Sequence, residues 1–260
     1  AGERHLAVDT LSDRVYLGTG NDVYAYRASD LTLLWRLAVP SERIGDLLLD
    51  VSGERLLVQG TAVDLAAGEV RDYLVSSSGQ LDREFVPAGM SANWRLAWAD
   101  LAQGRAVLYE NVWSQTGGAR TNLVLVDLDG VAVAPPVKLG EYATPQRGAR
   151  DGALYLLGNG AHTLYLYDAA VLRAGAGIAL GIRLQNVVSG ARTERLYVND
   201  SVGTLYEIDI EASERGTQAV VRQVTAGRGQ MLLDEDNRRL LVAEASADPA
   251  GVAVVDLERF

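Results

Sequence analysis

The sequence predicts an all-β fold of six tandem four-stranded antiparallel units, and three observations predict it. Short apolar runs rich in Val, Leu and Tyr alternate with period 2 between Gly, Asp, Asn and Ser, which marks strands rather than helices. One pattern recurs six times: "SDRVYLG", "GERLLVQ", "QGRAVLY", "DGALYLL", "TERLYVN" and "NRRLLVA". Its anchor positions are Arg14, Arg55, Arg105, Ala153, Arg195 and Arg239, spaced 41 to 50 residues apart. Finally, a turn-forming residue stands five positions before every anchor, at Asp9, Asp50, Asp100, Gly148, Gly190 and Asp234.

Each repeat supplies its strands in one order. An apolar run such as "HLAV", "DLLL", "LAWA", "NVV" or "MLL" precedes the turn, and the anchor opens the second strand. After a gap comes an alternating third run: "DVYAYR", "DYLVSS", "NLVLVD", "TLYLYD", "TLYEID" or "GVAVVD". A fourth run follows in five repeats: "TLLWRLAV", "LDREFV", "VAVAPPVKL", "AGIAL" and "QAVVRQV". The sixth repeat ends at Phe260 after its third run, so the last unit is expected to lack its outer strand. Amphipathic helices are rejected because Pro40 interrupts the best helical window.

Tandem four-stranded units of this size bury their faces against one another in a β-propeller. The expectation is one six-bladed β-propeller over 1–260, with blades at about 3–40, 43–88, 93–139, 141–181, 183–226 and 228–260. The pair "RLYVND" and "TLYEID" resembles the strand, turn and Asp-ended strand of YVTN-type bacterial propellers, within the broader WD40/YVTN-like class. The resemblance covers nearly the whole chain. It implies a fold and leaves activity open.

Composition narrows the function classes. The 260 residues are 48% apolar and 22% charged, which excludes general disorder. No apolar run reaches the roughly 18 to 20 residues of a membrane-spanning helix. With 34 acidic against 24 basic residues the net charge is -10, which argues against a nucleic-acid partner. The absence of cysteine excludes disulfides, thiolate metal sites and Cys nucleophiles. The opening "AGERHLAVD" fits a chain released from a secretory signal, so a secreted, periplasmic or cell-surface protein is expected.

Candidate sites follow from the repeat. An Arg is read at the start of each innermost strand, at Arg4, Arg43, Arg95, Arg147, Arg183 and Arg228. Six such cations around a channel mouth would suit a carboxylate or phosphate ligand; pairing with Glu3, Glu42, Asp46 or Glu141 is the structural alternative. The connections between second and third strands are longest in "GTAVDLAAGEVR", "ENVWSQTGGART" and "EASADPAG". Trp113, read in the second of these as a loop residue, is a candidate contact, with packing on its own blade as the alternative. Glu207 stands where Leu125, Leu166 and Val254 stand in other repeats, which suggests a site or a partner contact; a wet outer strand is the simpler alternative.

Catalytic signatures are largely missing. His5 and His162, the only histidines, lack metal-pair spacing, and no G-x-S-x-G or dinucleotide-binding motif occurs. No catalytic residue, metal site or cofactor is expected. The leading expectation is a non-catalytic binding or assembly module, engaging a protein partner through its loops or the open edge of the sixth blade, or a small anion. A metal-dependent lactonase-like hydrolase is the alternative, with Glu3, Asn93, Glu141 and Asn186 near inner-strand starts. A subunit whose partner completes the sixth blade is a further alternative.

Overall fold

All six anchors open the second strand of an antiparallel sheet in the computed structural model. It describes residues 4–9, 12–49, 55–61, 70–76, 78–85, 94–100, 103–127, 129, 131–147, 153–158, 163–180, 183–189, 195–214, 220–229, 231–235, 237–244 and 251–259. The first sheet is β1 (Arg4–Asp9), β2 (Arg14–Thr19), β3 (Asp22–Arg27) and β4 (Leu33–Ala38). The second is β5 (Arg43–Leu49), β6 (Arg55–Thr61), β7 (Val70–Ser76) and β8 (Leu81–Phe85). The third is β9 (Arg95–Asp100), β10 (Arg105–Ser114), β11 (Gly118–Asp127) and β12 (Val137–Leu139).

The fourth sheet holds β13 (Ala143–Arg147), β14 (Ala153–Gly158), β15 (Thr163–Asp168) and β16 (Arg173–Ala179). The fifth holds β17 (Leu184–Ser189), β18 (Arg195–Asp200), β19 (Thr204–Asp209) and β20 (Val220–Thr225), with the one-turn helix α1 (Ile210–Glu214) after β19. Among the described residues the sixth has three strands, β21 (Met231–Asp234), β22 (Arg239–Glu244) and β23 (Gly251–Asp256). Strands pair in chain order throughout, as in a meander. The fold is a six-bladed β-propeller.

Local chemistry explains the first turn of the blades. Asp9, Asp100 and Asp234 each accept a hydrogen bond from the backbone N–H three residues on, at Ser12 (3.2 Å), Gln103 (2.9 Å) and Asn237 (3.2 Å). The residue just before the anchor then has positive φ: 53° at Asp13, 67° at Gly104 and 49° at Arg238. A four-residue loop built this way reverses the chain and delivers the anchor opposite the Asp, as in the pairs Asp9↔Arg14, Asp100↔Arg105 and Asp234↔Arg239. Asp50 lies outside the described residues.

The chain divides into two compact units. Unit 1 comprises Ala1–Asn111, Asn122–Lys138 and Ala170–Leu172; unit 2 comprises Val112–Thr121, Leu139–Ala169 and Arg173–Phe260. In unit 1, Leu56 and Val58 of β6 pack with Tyr16, Val23 and Ala25 of the first sheet, while Leu57 packs with Ala106 and Leu108 of the third. In unit 2, Leu196 and Val198 of β18 join Tyr155 and Leu157, while Tyr197 joins Leu240 and Val242. One rule covers both: positions one and three past the anchor face the preceding repeat, and position two faces the following one. Burying a Leu or Val side chain is worth about 1.5–3 kcal/mol, so these alternating rows dominate stability.

Buried side-chain amides reinforce these contacts. Gln59 Nε2 donates to the Trp94 carbonyl (3.2 Å), and Asn199 Nδ2 donates to the Gly229 carbonyl (2.9 Å). Both residues stand four past their anchors, and each reaches the segment leading into the next inner strand. A buried amide left unpaired would cost about 1–3 kcal/mol, so the next sheet must sit where its carbonyl can accept.

Candidate functional site

Among the described residues, the most elaborated hairpin is β10–β11. Its two strands have ten residues each, against six in β2, β3, β18 and β19. "ENVWSQTGGART" is therefore not a long loop. Val112, Trp113 and Thr121 favour extended backbone, and the reversal needs only Gln115–Gly117, with Gly118 at φ 69°. A three-residue reversal followed by a left-handed Gly is a standard hairpin closure. Ser114 Oγ accepts the Gly117 N–H at 2.8 Å and tightens it.

Trp113 thus lies on β10 and is 62% exposed. At the base of the same hairpin, Asn122 Nδ2 donates to Glu110 Oε1 at 2.8 Å, and the buried Asn122 Oδ1 has no hydrogen-bond partner. The other long connections, at 62–69 and 245–250, lie outside the described residues.

Five of the six arginines lie at or just before an inner strand. Arg4, Arg43 and Arg95 open β1, β5 and β9; Arg183 immediately precedes β17, and Arg228 precedes β21 by three residues. Arg147 departs from the expectation: it closes β13, because that strand begins at Ala143 and its ladder ends at Arg147↔Leu154. The fourth repeat carries neither the Arg anchor nor the Asp turn, so alignment placed its inner strand too late. Arg43, Arg95, Arg183 and Arg228 are exposed; the side chains of Arg4 and Arg147 lie outside the described residues.

Of the residues that could mimic a lactonase metal site, Glu3 and Asn93 lie outside the described residues. Glu141 Oε1 accepts the Tyr165 hydroxyl at 2.5 Å, and burial, followed by this carboxylate, pushes the Tyr165 hydroxyl up to about 12. Asn186 Nδ2 donates to Asn199 Oδ1 and to the Gly229 carbonyl, both at 3.1 Å. These two groups are committed to protein partners. Among the described residues, no three His, Asp or Glu side chains gather as a metal site would require.

Glu207 is the clearest departure from its expected environment. It is buried, not on a wet strand: its side chain is 5% exposed. Arg222 of β20, its register partner, meets Oε2 through Nε at 2.6 Å and Nη2 at 2.5 Å, and Arg195 Nε lies 3.6 Å from Oε1. Arg195 also reaches Asp209 Oδ2 at 2.5 Å. Burial, then the Glu207 charge, raises the neighbouring Tyr197 hydroxyl above its ordinary value. Sequence reasoning marked position 207 but missed Arg222, which pairs with it only through the β19–β20 register after α1 intervenes.

Comparison with solved structures supports the architecture. A chain of a mitotic checkpoint complex superposes with TM-score 0.64 at 13% identity, over 96% of this chain and 75% of that one. KlHsv2 with loop 6CD replaced by a Gly-Ser linker superposes with TM-score 0.65 at 10% identity, over 99% and 78%. What they share with this chain is the β-propeller fold. No family model and no curated protein matches the sequence. The propeller assignment therefore rests on the backbone, and the YVTN repeat type finds no matching family.

Proposed function

We propose that this WD40-like propeller is a non-catalytic binding or assembly module whose contact surface centres on the β10–β11 hairpin. The observation that carries the reading is Trp113, a large aromatic held 62% exposed on a strand extended past its neighbours. Trp combines a broad apolar face with a polar N–H, which makes it one of the residues that dominate protein interfaces. A hairpin presents it at low entropic cost, because the strand already orders the backbone. Exposed arginines ahead of the inner strands supply a second, anion-directed feature.

The test is native purification with identification of co-purifying chains, for the wild type and for Trp113→Ala. A partner bound stoichiometrically by the wild type and lost from the variant, at an unchanged far-ultraviolet spectrum, supports the reading. Retention of every partner by the variant overturns it.

A further inference from the structure

Arg228 is exposed, yet the backbone on either side of it is pinned. The fully buried Asn199 donates through Nδ2 to both flanking carbonyls, Gly227 O at 3.4 Å and Gly229 O at 2.9 Å. Asn186 Nδ2 adds a second bond to Gly229 O at 3.1 Å. The Gly203 carbonyl accepts the Ala226 and Gly227 N–H groups at 2.9 and 3.1 Å. Gly227 itself has φ 120°, a backbone region that favours glycine. A loop held this way has already lost the freedom that a ligand would otherwise have to remove.

Arg183, also exposed, stands at the other end of the same β18–β19 turn. Its carbonyl accepts the Ser201 N–H at 3.0 Å, while a Cβ at Gly203 would stand 3.5 Å from Arg228 Cγ. Between these two points Val202 is 67% exposed. The carboxylate of the turn, Asp200, is buried and occupied: Oδ1 accepts the Val202 and Thr204 N–H groups at 2.9 and 2.8 Å, and Oδ2 the Tyr206 hydroxyl at 2.9 Å. Among the described residues no ion pair engages Arg183 or Arg228, whereas Arg195 and Arg222 of the same sheet both meet carboxylates.

We propose that the Ser201–Gly203 turn is a binding site for a small dicarboxylate, with Arg183 and Arg228 each taking one carboxylate and the aliphatic spacer lying over Val202. Each guanidinium offers the planar fork that a carboxylate fits bidentately. A net charge of -10 repels a dianion overall, so binding depends on this local pair of cations. Exposed ion pairs are individually weak, which sets the dissociation constant on the order of 1–10 mM. The site sharpens the anion-directed feature of the proposed function and is separate from Trp113, so its failure would leave the co-purification test of Trp113 untouched.

Nuclear magnetic resonance titration of the nitrogen-15-labelled chain suits this weak regime, because the amide signals of Ser201, Val202 and Gly203 report the site directly. Succinate, adipate and suberate are added at constant ionic strength. One chain length is expected to give the tightest saturable shifts, and hexanoate, with a single carboxylate, to bind at least about threefold more weakly. Arg183→Gln and Arg228→Gln each weaken the best dicarboxylate by a similar factor, and the double variant abolishes the shifts while keeping the rest of the spectrum. Shifts that persist in the double variant, hexanoate binding as tightly as the best dicarboxylate, or no saturation with any dicarboxylate, overturns the proposal.

Discussion

The first and fifth sheets use the same device and obtain different things from it. In both, a carboxylate on the third strand meets an Arg on the fourth: Asp22 with Arg36, and Glu207 with Arg222. Arg36 grips Asp22 through two parallel bonds, at 3.0 and 2.8 Å, and its guanidinium lies 5.6 Å from the Tyr24 ring centre. Yet its side chain is 59% exposed, and that of Asp22 is 16% exposed. Glu207 lies on the face that packs toward the sixth sheet and is 5% exposed. Geometry is good in both places. What differs is the water each ion has lost, and that sets the consequence of breaking the pair.

The largest effect is expected from Glu207→Ala. It leaves Arg195 and Arg222 facing a buried gap, and removing one partner of a buried pair costs about 3–5 kcal/mol. Both arginines are about one-third exposed and can turn partly to water, so the loss in urea denaturation should fall near 3 kcal/mol. Glu207→Leu/Arg222→Leu sharpens the comparison, because it removes both charges and restores the apolar residue of sister repeats. Its stability should return to within about 1 kcal/mol of wild type. Equal losses for the single and the double variant would show that burial is not the deciding variable.

Glu141 offers an intermediate case, a partly buried carboxylate whose donor is neutral. Tyr165 is raised from 10.0 to about 12, chiefly by burial and then by Glu141, so the fold favours the protonated hydroxyl. Stability from this source is complete below pH 10 and is lost as pH rises through about 12. Tyr165→Phe should flatten that alkaline limb when denaturation midpoints are followed against pH; an unchanged slope would separate the hydroxyl from stability.

The smallest effect belongs to Asp22. Its hydrogen bond with Arg36 holds the carboxyl below its ordinary value of 3.8, so its contribution is present above that pH and lost as pH falls through the folded value. Asp22→Ala should cost less than about 1 kcal/mol at neutral pH and less still at high salt. A loss approaching that of Glu207→Ala would break the comparison.

Much of the architecture was legible because it is written locally. The six anchors, the Asp turns and the five fourth strands follow from period-2 alternation and the turn chemistry of Asp, Asn and Gly. Arg147 was misplaced where that local grammar lapses, in a repeat opening "DGALY" with neither Asp turn nor Arg anchor. Trp113 was read into a loop because Ser, Thr and Gly surround it, although pairing of β10 with β11 carries it into a strand. Gln59 and Asn199 drew no attention, since each donates to a carbonyl 30 or more residues away.

The sequence by itself determined strand order, sheet composition and the side of each strand that turns toward a neighbour, because these depend on contacts within a turn and on alternation along a strand. The tertiary structure decided which polar groups lose water and which apolar rows stay exposed. Burial is set by the next sheet, which makes alternating residues core on both faces of the second and fifth sheets.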